Sequence, residues 1–161
     1  PLGGYPGDED AARATFAKLD QAKVKEDFLA AAGFVRGLQE TPVKLGVVGF
    51  CWGGAMSNNL AVNVPSLKAA VPFYGRQPKT EDVAKIKAAL QLHYAEMDEG
   101  VNAGIATYEE ALKKNKINYE LHMYPGAQHA FHNDTAPTRY NEAAAKLAWQ
   151  RAMDFFANHL K

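Results

Sequence analysis

The run Gly49-Phe50-Cys51-Trp52-Gly53-Gly54 holds one thiol with a glycine two positions to either side. That spacing is the G-x-S-x-G nucleophile elbow with cysteine in the serine position. In such an elbow a strand turns tightly into a helix, the nucleophile takes a strained backbone conformation, and its side chain stands clear at the C-terminal edge of the sheet. Glycines flank it because side chains there would collide with the neighbouring strand and helix. The N-terminus of the following helix favours a thiolate over a thiol. The plainer alternative is a small buried cysteine beside an ordinary strand-to-helix turn. It explains the cysteine alone, whereas the elbow explains five residues and their context together.

A nucleophilic thiolate needs a base, and the base needs an acid to orient it. On an elbow of this kind the chain order is nucleophile, acid, histidine, each on a loop after a strand. Ala95-Glu96-Met97-Asp98-Glu99 follows the apolar run Leu90 to Tyr94, and Pro125-Gly126-Ala127-Gln128-His129-Ala130-Phe131-His132 follows Tyr119 to Tyr124. His129 is the expected base, Asp98 the partner of its second ring nitrogen, and the backbone N–H of Trp52 the expected oxyanion donor. His132 competes for the base, and Glu96 and Glu99 for the acid, each glutamate having surface charge as its ordinary role. His93 and His122 fall in strands and His159 at a helix end, where packing or solvation is the simpler role.

The elements that must carry these loops can be read from periodicity. Helices fit Asp8 to Leu19 and Val24 to Leu38, the second with Phe28, Leu29, Ala32, Val35 and Leu38 on one face. Pro1 to Gly7 reads as a loop. Short apolar runs over Val43 to Phe50, Ala69 to Tyr74, Ala89 to Ala95 and Tyr119 to Tyr124 read as buried strands. Helical segments fall between them from Trp52 to Leu60, near Glu81 to Lys87, and from Asn102 to Lys114, with a closing helix over Tyr140 to Leu160. Strands alternating with helices imply a single α/β domain over residues 1–161, with a parallel sheet covered on both faces.

Composition excludes several functions. Lysine plus arginine equals aspartate plus glutamate at 18 each, so no net field recruits nucleic acid or an anionic membrane. No apolar run is long enough to span a bilayer. The single Cys51 rules out an intrachain disulfide and a multi-cysteine metal site, and it fits a reducing, cytoplasmic compartment.

The elbow, Val71-Pro72-Phe73-Tyr74-Gly75, the Asp98 loop and Tyr124-Pro125-Gly126-Ala127-Gln128-His129-Ala130-Phe131 together resemble the dienelactone hydrolase (carboxymethylenebutenolidase) family over Val43 to Leu160. The resemblance implies an α/β-hydrolase fold and a monomeric enzyme without cofactor or metal. It implies a Cys51-His129-Asp98 triad that opens ester or enol-lactone bonds through an acyl-enzyme, with Tyr74 contacting the small-molecule substrate. Two differences modify this. The sequence enters the fold just before the helix preceding the elbow strand, so the family's N-terminal strands, one oxyanion donor and its early substrate residues are expected outside this chain. The bared sheet edge should then be covered by an N-terminal companion fragment or by a second copy in a homo-oligomer, and a catalytically incomplete fragment is the alternative reading. Where the family's dienelactone enzymes have a serine directly after the catalytic histidine and an arginine three residues beyond it, this chain has Ala130 and Asn133, so dienelactone itself is not the expected substrate.

Overall fold

The computed structural model describes residues 7–38 and 43–161; the loop expected over Pro1 to Gly7 lies, up to Pro6, outside them. Four strands, β1 (Leu45–Phe50), β2 (Leu67–Phe73), β3 (Ala89–Met97) and β4 (Tyr119–Gln128), form one sheet in the order β1-β2-β3-β4, every neighbouring pair parallel. Six helices accompany it among the described residues: α1 (Glu9–Phe16), α2 (Gln21–Gly37), α3 (Trp52–Asn63), α4 (Glu99–Asn102), α5 (Ile105–Lys114) and α6 (Glu142–His159), with a 3₁₀ helix over Thr80–Lys85. This is the α/β-hydrolase arrangement expected from the sequence.

Alternation along the central strands divides the core in two. Ala70, Leu90, Leu92 and Tyr94 face a cluster with Leu60 and Ala61 of α3 and Tyr108, Ala111 and Leu112 of α5. Ala69, Val71, Phe73 and Ala95 face the other side, against Ala144, Ala145, Ala148, Ala152 and Phe155 of α6. Helices therefore cover both faces, as near-continuous apolar strands require. The alanine face lets α6 lie close to the sheet.

Local chemistry sets several boundaries away from their expected positions. Asp20 accepts from the backbone N–H groups of Ala22 and Lys23, which starts α2 at Gln21 and leaves α1 ending at Phe16. The segment expected as one helix over Asn102 to Lys114 is broken at Gly104, where a side chain would press on Gln77 Oε1 at 2.4 Å. The helical segment near Glu81 is a 3₁₀ turn that gives way to extended backbone at Ile86, which is buried in the core. The single apolar face expected on α2 divides instead. Leu29 and Ala32 pack on the core and Phe28 turns to the Trp52 ring, while Val35 and Leu38 remain exposed.

β1 and β4 are the edges of the four-strand sheet, and Val48 on β1 is exposed. Among the described residues no helix is long and apolar enough to cross a membrane.

The close seat of α6 can be tested by overpacking. Ala148 is fully buried against the sheet, whereas Ala143, on the opposite face of the helix, is exposed. Ala148→Leu should cost about 1–3 kcal/mol in urea denaturation, and Ala143→Leu less than about 0.5 kcal/mol.

Candidate active site

β1 ends at Phe50 and α3 begins at Trp52, so Cys51 alone makes the turn, with φ 56° and ψ −117°. Its N–H is held by the Phe73 carbonyl at 3.0 Å. The close approach that demands glycine is specific. A methyl on Gly49 would sit 2.1 Å from the Gly53 carbonyl oxygen, and one on Gly54 2.5 Å from the Phe73 carbonyl oxygen. Gly53 itself faces open space. Steric need thus falls on Gly49 and Gly54, and not on the second glycine of the motif as the sequence reading assumed.

β3 and β4 deliver the other two groups. Asp98 follows β3 as the N-cap residue of α4, yet its carboxylate caps no backbone N–H and turns instead to His129. His129 leaves β4 between two buried anchors, Ala127 and Phe131, the latter packed on the Tyr74 and Tyr124 rings. Its Nδ1 lies 2.6 Å from Asp98 Oδ2 and its Nε2 3.0 Å from Cys51 Sγ. An ionised Asp98 accepts only, so Nδ1 carries a proton and Nε2 shares one with the sulfur.

This geometry shifts both partners. The hydrogen bond to Cys51 is the largest influence on His129 and raises it to about 9, with Asp98 adding and burial opposing. Cys51 is lowered, first by the His129 hydrogen bond and further by the imidazolium charge and the Trp52 backbone N–H, against burial and the Asp98 charge. Both shifts favour the thiolate and imidazolium forms over the neutral pair, with the Trp52 N–H directed at the sulfur.

A cavity of about 310 Å³ opens beside the thiol, lined by Phe50, Cys51, Tyr74, Ala130, His132 and Asn133. Tyr74 is almost fully buried, its ring 5.1 Å from that of His129, and burial raises its hydroxyl well above the ordinary phenol value. Among the described residues four non-glycine residues have positive φ, and three of them, Cys51, Tyr74 and Ala130, line this cavity.

The competing residues go elsewhere. His132 contacts the Phe50 and Trp149 rings and lines the cavity without a bond to Cys51, and burial lowers its pKa. Glu96 accepts the Gly126 N–H, and Glu99 is exposed at the start of α4. His93 is fully buried between Tyr124 and Gln91, where burial above all lowers it to about 3. His122 bonds Glu120 and His159 the Phe155 carbonyl. The roles of Phe50 and His132 as cavity walls were not legible in the sequence, because nothing in their spacing marks them, whereas Ala130 and Asn133 stand where the resemblance places residues that differ from the family's. Among the described residues no three His, Cys, Asp or Glu side chains converge as a metal site would.

The sequence profile of the dienelactone hydrolase family matches residues 3–160. The chain belongs to that family. A relative from Saccharolobus solfataricus, named "Putative carboxymethylenebutenolidase", is 42% identical over 70% of this chain and 43% of its own length. A solved structure from Klebsiella pneumoniae, titled "Putative Dienelactone Hydrolase", superposes with a TM-score of 0.80 at 29% identity, covering 95% of this chain and 68% of the other. The dienelactone hydrolase from Anabaena variabilis gives 0.58 at 25% identity, over 74% of this chain and 51% of its own. The chain spans about half the length of the first curated relatives it matches, 43% and 53%.

Within this family member the ionisation of Cys51 can be measured without a substrate. Iodoacetamide labelling of Cys51 against pH should show a midpoint well below the free-thiol value of about 8.5, and His129→Ala should move it back up. A wild-type midpoint at 8.5 or above would remove the case for an ion pair. The elbow's sterics predict a contrast as well. Gly49→Ala should destabilise by about 2 kcal/mol or more, while Gly53→Ala, inside α3, should be neutral or stabilising in thermal melts.

Proposed function

We propose that this chain carries the nucleophile-bearing part of a carboxylic ester or enol-lactone hydrolase that works through Cys51, His129 and Asp98 and an acyl-enzyme. The observation that carries this is the unbroken line from Asp98 Oδ2 through His129 to Cys51 Sγ, at 2.6 and 3.0 Å, on a strained elbow at the sheet's C-terminal edge. Family membership supports the same class of chemistry.

In the proposed sequence the thiolate attacks the substrate carbonyl, and the oxyanion that forms takes a hydrogen bond from the Trp52 N–H. The tetrahedral adduct collapses as His129 gives its Nε2 proton to the leaving oxygen, which leaves a thioester on Cys51. The neutral imidazole then takes a proton from water, the hydroxide attacks the thioester, and the thiolate departs with the imidazolium restored. Asp98 fixes the Nδ1–H tautomer throughout. The cavity walls Phe50, Tyr74, Ala130, His132 and Asn133 include no lysine, arginine or carboxylate, and burial lowers the pKa of His132, which favours its neutral form. A neutral acyl group packed against Tyr74 and Phe50 suits that lining better than a carboxylate-bearing one, for which these walls offer no lysine or arginine.

Pre-steady-state hydrolysis of a p-nitrophenyl ester tests the assignment. Cys51→Ala and His129→Ala should each abolish the acylation burst, and His132→Ala should retain it with an altered KM. A burst lost in His132→Ala and kept in His129→Ala would transfer the base to His132. For acylation, kcat/KM should rise as the lowered Cys51 thiol ionises and fall again as His129, raised to about 9, loses the proton it must donate.

A further inference from the structure

β3 and β4 do not stay in register. Ala95 pairs with Tyr124 and Met97 with Gln128, so the single residue Glu96 stands opposite Pro125, Gly126 and Ala127. β4 thus carries two extra residues beside the site, a bulge of the kind that re-aims a side chain. Its effect follows from counting along the strands. In unbroken register Asp98 would lie opposite Ala127. With the bulge, the residues directly after the Met97 and Gln128 pair are Asp98 and His129, which meet at 2.6 Å.

A bulge leaves ladder groups without partners, and here side chains supply them. Pro125 has no N–H to satisfy. The Gly126 N–H donates to Glu96 Oε2 at 2.8 Å, and Gly126 takes φ +65°, a conformation that favours glycine. On the β3 side, Asn102 Nδ2 donates to the carbonyl oxygens of Ala95 at 2.8 Å and Glu96 at 3.1 Å. Ala127, buried in the α6-side core, seats the end of the bulge. Glu96 is exposed and makes no ion pair among the described residues, so the backbone N–H is the contact its carboxylate serves.

We propose that Glu96 is a positioning residue: its carboxylate locks the two-residue bulge of β4 that brings His129 into phase with Asp98. The inference rests on the proposed function for its kinetic consequence, but its structural consequence is independent of any substrate. Without the clamp the bulge can relax, and His129 then spends less time bonded to both Asp98 and Cys51.

The test compares Glu96→Ala and Glu96→Gln in the full chain, by Cys51 labelling with iodoacetamide against pH and by p-nitrophenyl ester kinetics. Glu96→Ala should raise the labelling midpoint by about half a pH unit or more, and lower kcat roughly tenfold with KM changed less than about twofold. Glu96→Gln keeps an oxygen that accepts the Gly126 N–H, so both readouts should return close to wild type. A wild-type labelling midpoint in Glu96→Ala overturns the proposal. So does an equal shift in Glu96→Gln, which would assign the effect to charge, or loss of the fold in Glu96→Ala, which would make the residue a general support. The labelling arm decides the clamp even if the wild-type chain hydrolyses no ester, a result that would instead overturn the proposed function.

Discussion

The hydrogen bond between Cys51 Sγ and His129 Nε2 joins groups 78 residues apart in sequence. In water at neutral pH a thiol near 8.5 and an imidazole near 6.5 would both be largely neutral. Here the shared hydrogen bond shifts both groups toward the charged pair, with the Trp52 N–H adding to it at Cys51 and the Asp98 carboxylate at His129. None of this survives small displacements, since a hydrogen bond weakens within a few tenths of an ångström of its range. The rest of the fold holds three strand ends in phase. A parallel sheet suits that task because every strand delivers its C-terminal end to the same edge.

Holding the site carries a local energetic cost. Cys51, Tyr74 and Ala130 occupy positive φ without being glycine, each on the order of 1–3 kcal/mol unfavourable. The neighbours that offset this are well buried. Phe73 gives its carbonyl to Cys51 N–H, Tyr74 N–H is held by the His93 carbonyl, and Phe131 beside Ala130 is fully enclosed. Core packing therefore stabilises backbone that local preference disfavours, and it does so where the cavity is lined.

The five histidines show how far environment decides chemistry. His93 and His129 have the same side chain and opposite fates. Gln91 Nε2 donates to Glu120, so its Oε1 is left to accept from His93 Nε2–H, and the Nδ1 lone pair accepts from the Tyr124 hydroxyl, which itself accepts from Arg151. With both nitrogens used and no carboxylate in contact, burial keeps that ring neutral. His129 is only half-buried and touches two groups that favour its proton, which raise it to about 9.

The sequence by itself determined the elements and the candidates for the site. Apolar runs of strand length alternating with helical periods specified a parallel α/β sheet, and the elbow spacing with the order nucleophile, acid, histidine narrowed the site to Cys51, one of three acids and one of two histidines. These features are local or ordinal, and a linear chain displays them. Tertiary structure decided what depends on neighbours distant in the chain. It chose His129 over His132, and Asp98 over Glu96 and Glu99. It placed steric demand on Gly49 and Gly54 and left Gly53 free. It split the apolar face of α2 between the core, the Trp52 ring and solvent. It extended β4 from Tyr124 to Gln128 through a bulge that no periodicity announces. The reason is the same in each case: a side chain's direction follows from register and from which backbone approaches it, and both arise only when the strands pair.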